Sequence, residues 1–342
     1  MPLFNFNITQ FSGKEEYSSA VANVRSLEKS MLTEHKLHRM TEREDWEGVL
    51  DELRSTDYFE ALIKVDSPQS LKEALNETIT KRYHTIHNLS IEQKFIDPIL
   101  LRYDLNNLKT YFKIKFSTSA KEIKYSSFGI INFPKFISVI EQNKPLPGPL
   151  KVIYENANYD YSQNQKLYRI EMLIEKYFLE NIKNVFRESG VLYLEKFIDF
   201  RIDIANLLSI LRLKEWGYNN KVEWDLFPEN GTLDKIFFEF VLKNSIETTI
   251  DRLQYTVYGS YLQDGLEHYK STGELWLLEK LGDDFLSEFC KLTKFTSFGV
   301  EPLIAYLWIL GREIKNIQTI ISAKYFGIPK DMIKSRLRIL YE

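Results

Sequence analysis

Histidine, cysteine and paired carboxylates are the side chains in this sequence with types and spacing suited to chemistry. His35 and His38 stand three apart, as do His84 and His87, so each pair can share one helix face and offer two imidazoles to a metal. Neither pair lies in an HExxH arrangement, and no carboxylate is spaced to complete a ligand set. The expectation is therefore ordinary solvated or half-buried histidines and no metal. The single cysteine, Cys290, falls in the amphipathic run Phe285-Leu286-Ser287-Glu288-Phe289-Cys290, where a small core residue is expected. Asp283-Asp284 reads as a solvated helix face. Neither a glycine-rich phosphate loop nor a G-x-S-x-G elbow is present. With no catalytic constellation and no cofactor motif, the sequence points to a protein that works by contact.

Composition sets the frame for that reading. Of 342 residues, 44% are hydrophobic and 27% charged, the balance of a folded globular chain. With 23 Phe, 20 Tyr and 5 Trp, large apolar surfaces are available to build a core. A net charge of −3 gives no overall attraction to nucleic acid or to an acidic membrane. One cysteine precludes an internal disulfide framework and fits a reducing, cytoplasmic setting. The opening Met1-Pro2-Leu3-Phe4-Asn5 lacks a secretory pattern, and the longest apolar stretch, Pro302 to Leu310, is too short to span a bilayer.

Helical periodicity dominates, in Leu167 to Val185, Leu233 to Ile250 and Ile314 to Tyr325. Breaks are expected at Lys144 to Leu150, with three prolines and a glycine, and at Gly217 to Gly231. Thr232 is expected to cap a helix starting at Leu233.

An internal repeat organises these helices. Asn107, Asn206 and Asn316 each follow an acid by three residues (Asp104, Asp203, Glu313) and precede a lysine by eight (Lys115, Lys214, Lys324). Apolar residues fill the positions around each asparagine that share one helix face, and the lysine lies where a helix C-terminus favours a cation. A second anchor, Glu-x-Leu, begins at Glu73, Glu171 and Glu279, placed 34, 35 and 37 residues before its asparagine. The prediction is an all-α chain of three similar helical-bundle domains, residues 1–145, 146–245 and 246–342, produced by triplication. The asparagines are expected to be hydrogen-bonded structural residues. Residues 312–338 carry seven basic side chains against two acids, which makes Arg336 and Arg338 candidates for contact with an acidic partner.

The run Glu301-Pro302-Leu303-Ile304-Ala305-Tyr306-Leu307, followed by Glu313-Ile314-Lys315-Asn316-Ile317, Ile320-Ile321, Lys324 and Gly327-Ile328-Pro329, resembles the C subunit of bacterial and archaeal V/A-type ATPases, the relative of the vacuolar d subunit. Arg25-Ser26-Leu27-Glu28, Thr56-Asp57-Tyr58 and Pro147-Gly148-Pro149-Leu150 agree, so the resemblance covers nearly the whole chain. It departs at Leu310-Gly311, where the family often has Lys-Glu, and at Gln318, where it often has arginine. The resemblance implies a funnel with a central cavity, a rotating shaft of the D and F subunits in its wide end, and a membrane proteolipid ring beneath it. It implies a non-catalytic rotor adaptor on the cytoplasmic face of the membrane, coupling rotation to movement of H⁺ or Na⁺. The choice of ion lies in the ring. The competing reading from residues alone is a cytosolic helical scaffold unrelated to rotary motors.

Overall fold

Apolar stripes at helical spacing, interrupted by capping residues, divide the chain into helices. In the computed structural model of the chain, residues 10–63, 65–116, 125, 133–142, 144, 149–217, 222–229 and 231–341 are described. The helices in order are α1 (Ser18–Glu28), α2 (Glu34–Glu42), α3 (Trp46–Leu53), α4 (Phe59–Leu62) and α5 (Pro68–Leu89). Next come α6 (Asp97–Phe116), α7 (Phe133–Glu141), α8 (Pro149–Asn164), α9 (Leu167–Glu188) and α10 (Leu192–Glu215). The chain continues through α11 (Lys235–Lys243), α12 (Ile246–Leu253), α13 (Gly259–Thr272), α14 (Trp276–Lys291), α15 (Glu301–Tyr325) and α16 (Lys330–Arg336). Among the described residues there is no strand, as the periodicity predicts.

The boundaries follow from local chemistry. The Asp45 and Ser245 side chains accept the backbone N–H of Gly48 and Thr248 to start α3 and α12. Ser67 and Ser70 cap each other to start α5. The apolar run from Leu233 to Ile250 is two helices, broken where Asn244 ends α11 and Ser245 begins α12. Asp234, rather than Thr232, caps α11, because its carboxylate lies 2.8 Å from Phe237 N; Thr232 is engaged by Asp203. The expected break after Lys144 falls largely on residues outside the described set, and α8 begins at Pro149.

The chain forms two compact units. One comprises Met1–Ile91, Leu207–Asn219 and Asp234–Glu342; the other comprises Glu92–Asn206 and Asn220–Leu233. In the first, α15 is the central element: α1, α3, α5 and α14 pack on it, and most of its residues are buried. The fully buried rings Tyr17, Tyr58, Tyr258, Tyr306, Phe285 and Phe289 fill this core. Each side chain of that size contributes roughly 1.5–3 kcal/mol when removed from water. In the second unit, α9 lies against α6 and α8, with Phe112 stacked on Phe116 and Tyr154.

Candidate functional site

The acid–asparagine pairs of the repeat are buried in all three copies: Asp104 and Asn107, Asp203 and Asn206, Glu313 and Asn316. A carboxylate and an amide removed from water need partners. Asn206 Nδ2 donates to the carbonyl of Pro228 at 3.0 Å, and Asn316 Nδ2 donates to that of Arg338 at 2.8 Å, each acceptor being 22 residues downstream. The acids also act alike. Asp203 accepts the backbone N–H of Thr232 at 2.8 Å, and Glu313 accepts that of Leu32 at 2.6 Å. Residues 32 and 232 each stand just ahead of a helix, α2 or α11, so in both places the acid holds the start of a helical segment.

Sequence reading passed over a related signal. Thr56-x-Tyr58-x-x-x-Leu62 recurs as Thr256-x-Tyr258-x-x-x-Leu262, 200 positions on. Each threonine hydroxyl donates to a leucine carbonyl, Leu53 or Leu253, and accepts from a tyrosine N–H, Tyr58 or Tyr258. A search for repeats outside the asparagine helices would have found it.

The remaining repeat residues do not converge on one spot; Glu171, Glu279, Lys115 and Lys214 fasten neighbouring helices. Glu171 on α9 pairs with Lys113 on α6 at 2.9 Å, and Glu279 on α14 pairs with Arg212 on α10. Each cation lies six residues after the asparagine of its helix. Glu73 is exposed on α5. The three lysines lie in the last turns of α6, α10 and α15. Lys115 lies 3.4 Å from Asn158 and over the Phe116 ring, and Lys214 donates to the carbonyls of Val241 and Asn244. Lys324 has no ion-pair partner among the described residues. Arg336 lies 4.0 Å over the Trp276 ring, whereas Arg338 is buried and donates to Asp283 at 3.1 Å.

Two polar clusters surround α15. Glu313 is fully buried and also accepts Tyr58 Oη at 2.5 Å. Burial pushes its carboxyl above the usual carboxylate range, against those hydrogen bonds and the nearby Arg82. Arg82 donates to Tyr306 Oη and to Asp57, each at 2.8 Å. The second cluster corrects the solvated reading of Asp283-Asp284. Arg312, Lys315 and Arg338 all donate to Asp283, while Asp284, 2% exposed, holds Lys280 and the N–H of Ile339. Burial opposes ionisation of Asp283, but the three cations outweigh it and its pKa falls to about 2. The carboxylates turn inward because the chain after α16 returns along α14 and brings Arg338 and Ile339 to them.

No group of three or more His, Cys, Asp and Glu among the described residues could hold a metal ion. His35, His38 and His84 are exposed, His87 is half-buried and Cys290 is buried. No helix of the described residues is long and apolar enough to cross a membrane.

Large apolar side chains stand in water at both ends of α15. Ahead of its N-terminus Phe295 is 91% exposed and Phe298 is 38% exposed; at its C-terminus Tyr325 is 55% and Phe326 74% exposed. A helix of 25 residues is about 37 Å long, so a rigid, buried rod separates the two apolar ends.

Across this arrangement the family model for the ATP synthase (C/AC39) subunit matches residues 20–336. The chain belongs to that family. Relatives include the C subunit of the A-type ATP synthase of Methanocaldococcus jannaschii, 26% identical over 344 residues, with 94% of this chain and 86% of the relative covered. The corresponding A-type ATP synthase protein of Thermococcus kodakarensis is 25% identical over 338 residues, covering 93% and 89%. The C subunit of the V-type sodium ATPase of Enterococcus hirae is 23% identical over 319 residues, covering 85% and 95%. As a member of the C/AC39 family the chain is a non-catalytic component of a rotary ATPase.

Proposed function

We propose that the chain is the rotor adaptor of its ATPase, seated on the cytoplasmic side of the membrane between the central shaft (the D and F subunits) and the proteolipid ring. The observation that carries this reading is α15: one buried rod with exposed aromatic side chains at each end. Passing torque requires a body that does not yield between two separate contacts, and close-packed helices with aromatic cores deform little. The recurring clasps support a triplicated body, with domains at residues 1–145, 146–245 and 246–342 arranged as a funnel around a central cavity. In that body the acid and asparagine of the second and third copies hold distant segments of the chain in register.

The test is co-purification of the tagged chain from gently solubilised native membranes. Recovery of shaft and proteolipid-ring proteins is the expected result. An abundant, folded chain recovered without either would overturn the reading in favour of an unrelated scaffold. Arg336 is the better of the two basic candidates for a partner contact: reversing its charge removes one stacking contact on Trp276, whereas Arg338 also supports the fold through Asp283. Unchanged assembly with Arg336→Glu removes it from the interface.

A further inference from the structure

Between Tyr325 and Met332 the chain exposes four large apolar side chains: Tyr325 at 55%, Phe326 at 74%, Ile328 at 40% and Met332 at 52%. No other eight-residue stretch of the described residues carries as many. The helix terminus that carries them is closed. Ile328 N donates to Ala323 O at 2.8 Å and Gly327 N to Lys324 O at 3.1 Å, with Gly327 in the left-handed region at φ 68. This 6→1 and 5→2 pattern satisfies the carbonyls of Ala323 and Lys324 internally. Hydrogen-bonded backbone of this kind can approach a low-dielectric medium without stranding polar groups. The Tyr325 and Phe326 rings meet edge-to-face at 5.2 Å, which makes a protruding wedge rather than a flat patch.

Along the same segment stand four cations, Lys324, Lys330, Lys334 and Arg336, against the two acids Glu42 and Asp331. Lys324 has no ion-pair partner among the described residues, Lys330 and Lys334 share Glu42, and Arg336 lies on Trp276. A protein partner would have to offer a pocket shaped to this wedge, whereas a lipid interface accepts any apolar protrusion flanked by lysines with long stems. The end of α10 has the same construction: Trp216, 60% exposed, precedes Gly217 at φ 78.

We propose that the C-terminal end of α15, with Tyr325, Phe326, Ile328 and Met332 as its apolar tip and Lys324 and Lys330 beside it, docks directly on an anionic lipid surface. This makes it the membrane-facing end of the adaptor, touching lipid beside the contact with the proteolipid ring. The setting rests on the adaptor reading, but the test does not.

The test is flotation of the purified full-length chain with vesicles of phosphatidylcholine alone or mixed with phosphatidylglycerol. About tenfold more chain should float with the anionic vesicles, falling with added salt, since each lysine gains from the negative surface. Phe326→Asp should abolish that excess, and Phe295→Asp, at the other end of α15, should leave it unchanged; both sites are exposed, so thermal melts should match the parent chain. No preference for anionic vesicles, or equal binding by Phe326→Asp, overturns the proposal. So does loss of shaft or ring proteins with Phe326→Asp while vesicle binding persists, which would assign the tip to a protein. Vesicle binding without co-purifying shaft and ring would count against the adaptor reading alone.

Discussion

The side-chain amide of Asn316 closes two hydrogen bonds on the backbone of Arg338, donating to its carbonyl and accepting from its N–H, each at 2.8 Å. Removing it leaves two buried backbone groups without partners. Asn316→Ala should destabilise the chain by about 2–4 kcal/mol, and Asn206→Ala, which breaks the single bond to Pro228, by about 1–2 kcal/mol. Urea midpoints at unchanged slope would measure both. Equal losses would contradict the difference in bonding.

Asp283 should give the fold an acid-sensitive contribution. Its pKa drops from 3.8 to about 2 in the folded chain, so its stabilisation is complete above pH 3.8 and disappears as pH falls towards 2. The side chain is 16% exposed, and the shift corresponds to roughly 2 kcal/mol. Asp283→Asn should lower stability at neutral pH and flatten the stability profile in that acid window. A parallel profile would place the acid sensitivity elsewhere.

Glu313 should behave in the opposite sense. Burial raises its carboxyl pKa, so the fold favours the protonated form and stability falls as pH rises from the ordinary glutamate value through the raised one. Glu313→Gln keeps an acceptor for Leu32 N and removes that dependence at little cost. Glu313→Ala abandons both Leu32 N and Tyr58 Oη and should cost about 2–4 kcal/mol. Chemical denaturation of the three proteins at several pH values checks the order.

Two glycines should respond in opposite directions to alanine. At Gly265 a Cβ would meet Leu278 Cα at 2.7 Å, where α13 and α14 pack closely. Gly265→Ala must force the helices apart and should cost about 1–3 kcal/mol. At Gly311, inside α15, an added Cβ meets nothing within 4 Å. Gly311→Ala should stabilise by about 1 kcal/mol through helix propensity. Thermal melts of the pair would show shifts of opposite sign.

The helical class was legible in the residue pattern, because period-3.6 stripes and capping residues are local properties of the chain. So was the recurrence of acid, asparagine and lysine, since spacing along one helix fixes which residues share a face. Burial of the asparagines followed for the same reason: each sits in an apolar stripe. The partners were not legible. The carbonyl that Asn316 grips, the N–H that Glu313 accepts from Leu32 and the three cations around Asp283 come from segments distant along the chain, and spacing says nothing about which distant segments meet. Asp283-Asp284 looked like a solvated face because two adjacent carboxylates in isolation favour water. Only the return of the chain after α16 put Arg338 and Ile339 against them. Likewise an apolar residue such as Phe326 reads in sequence as core. It stands in water because the left-handed turn at Gly327 ends α15 before any neighbouring helix covers its tip, and the packing of distant segments alone decides that.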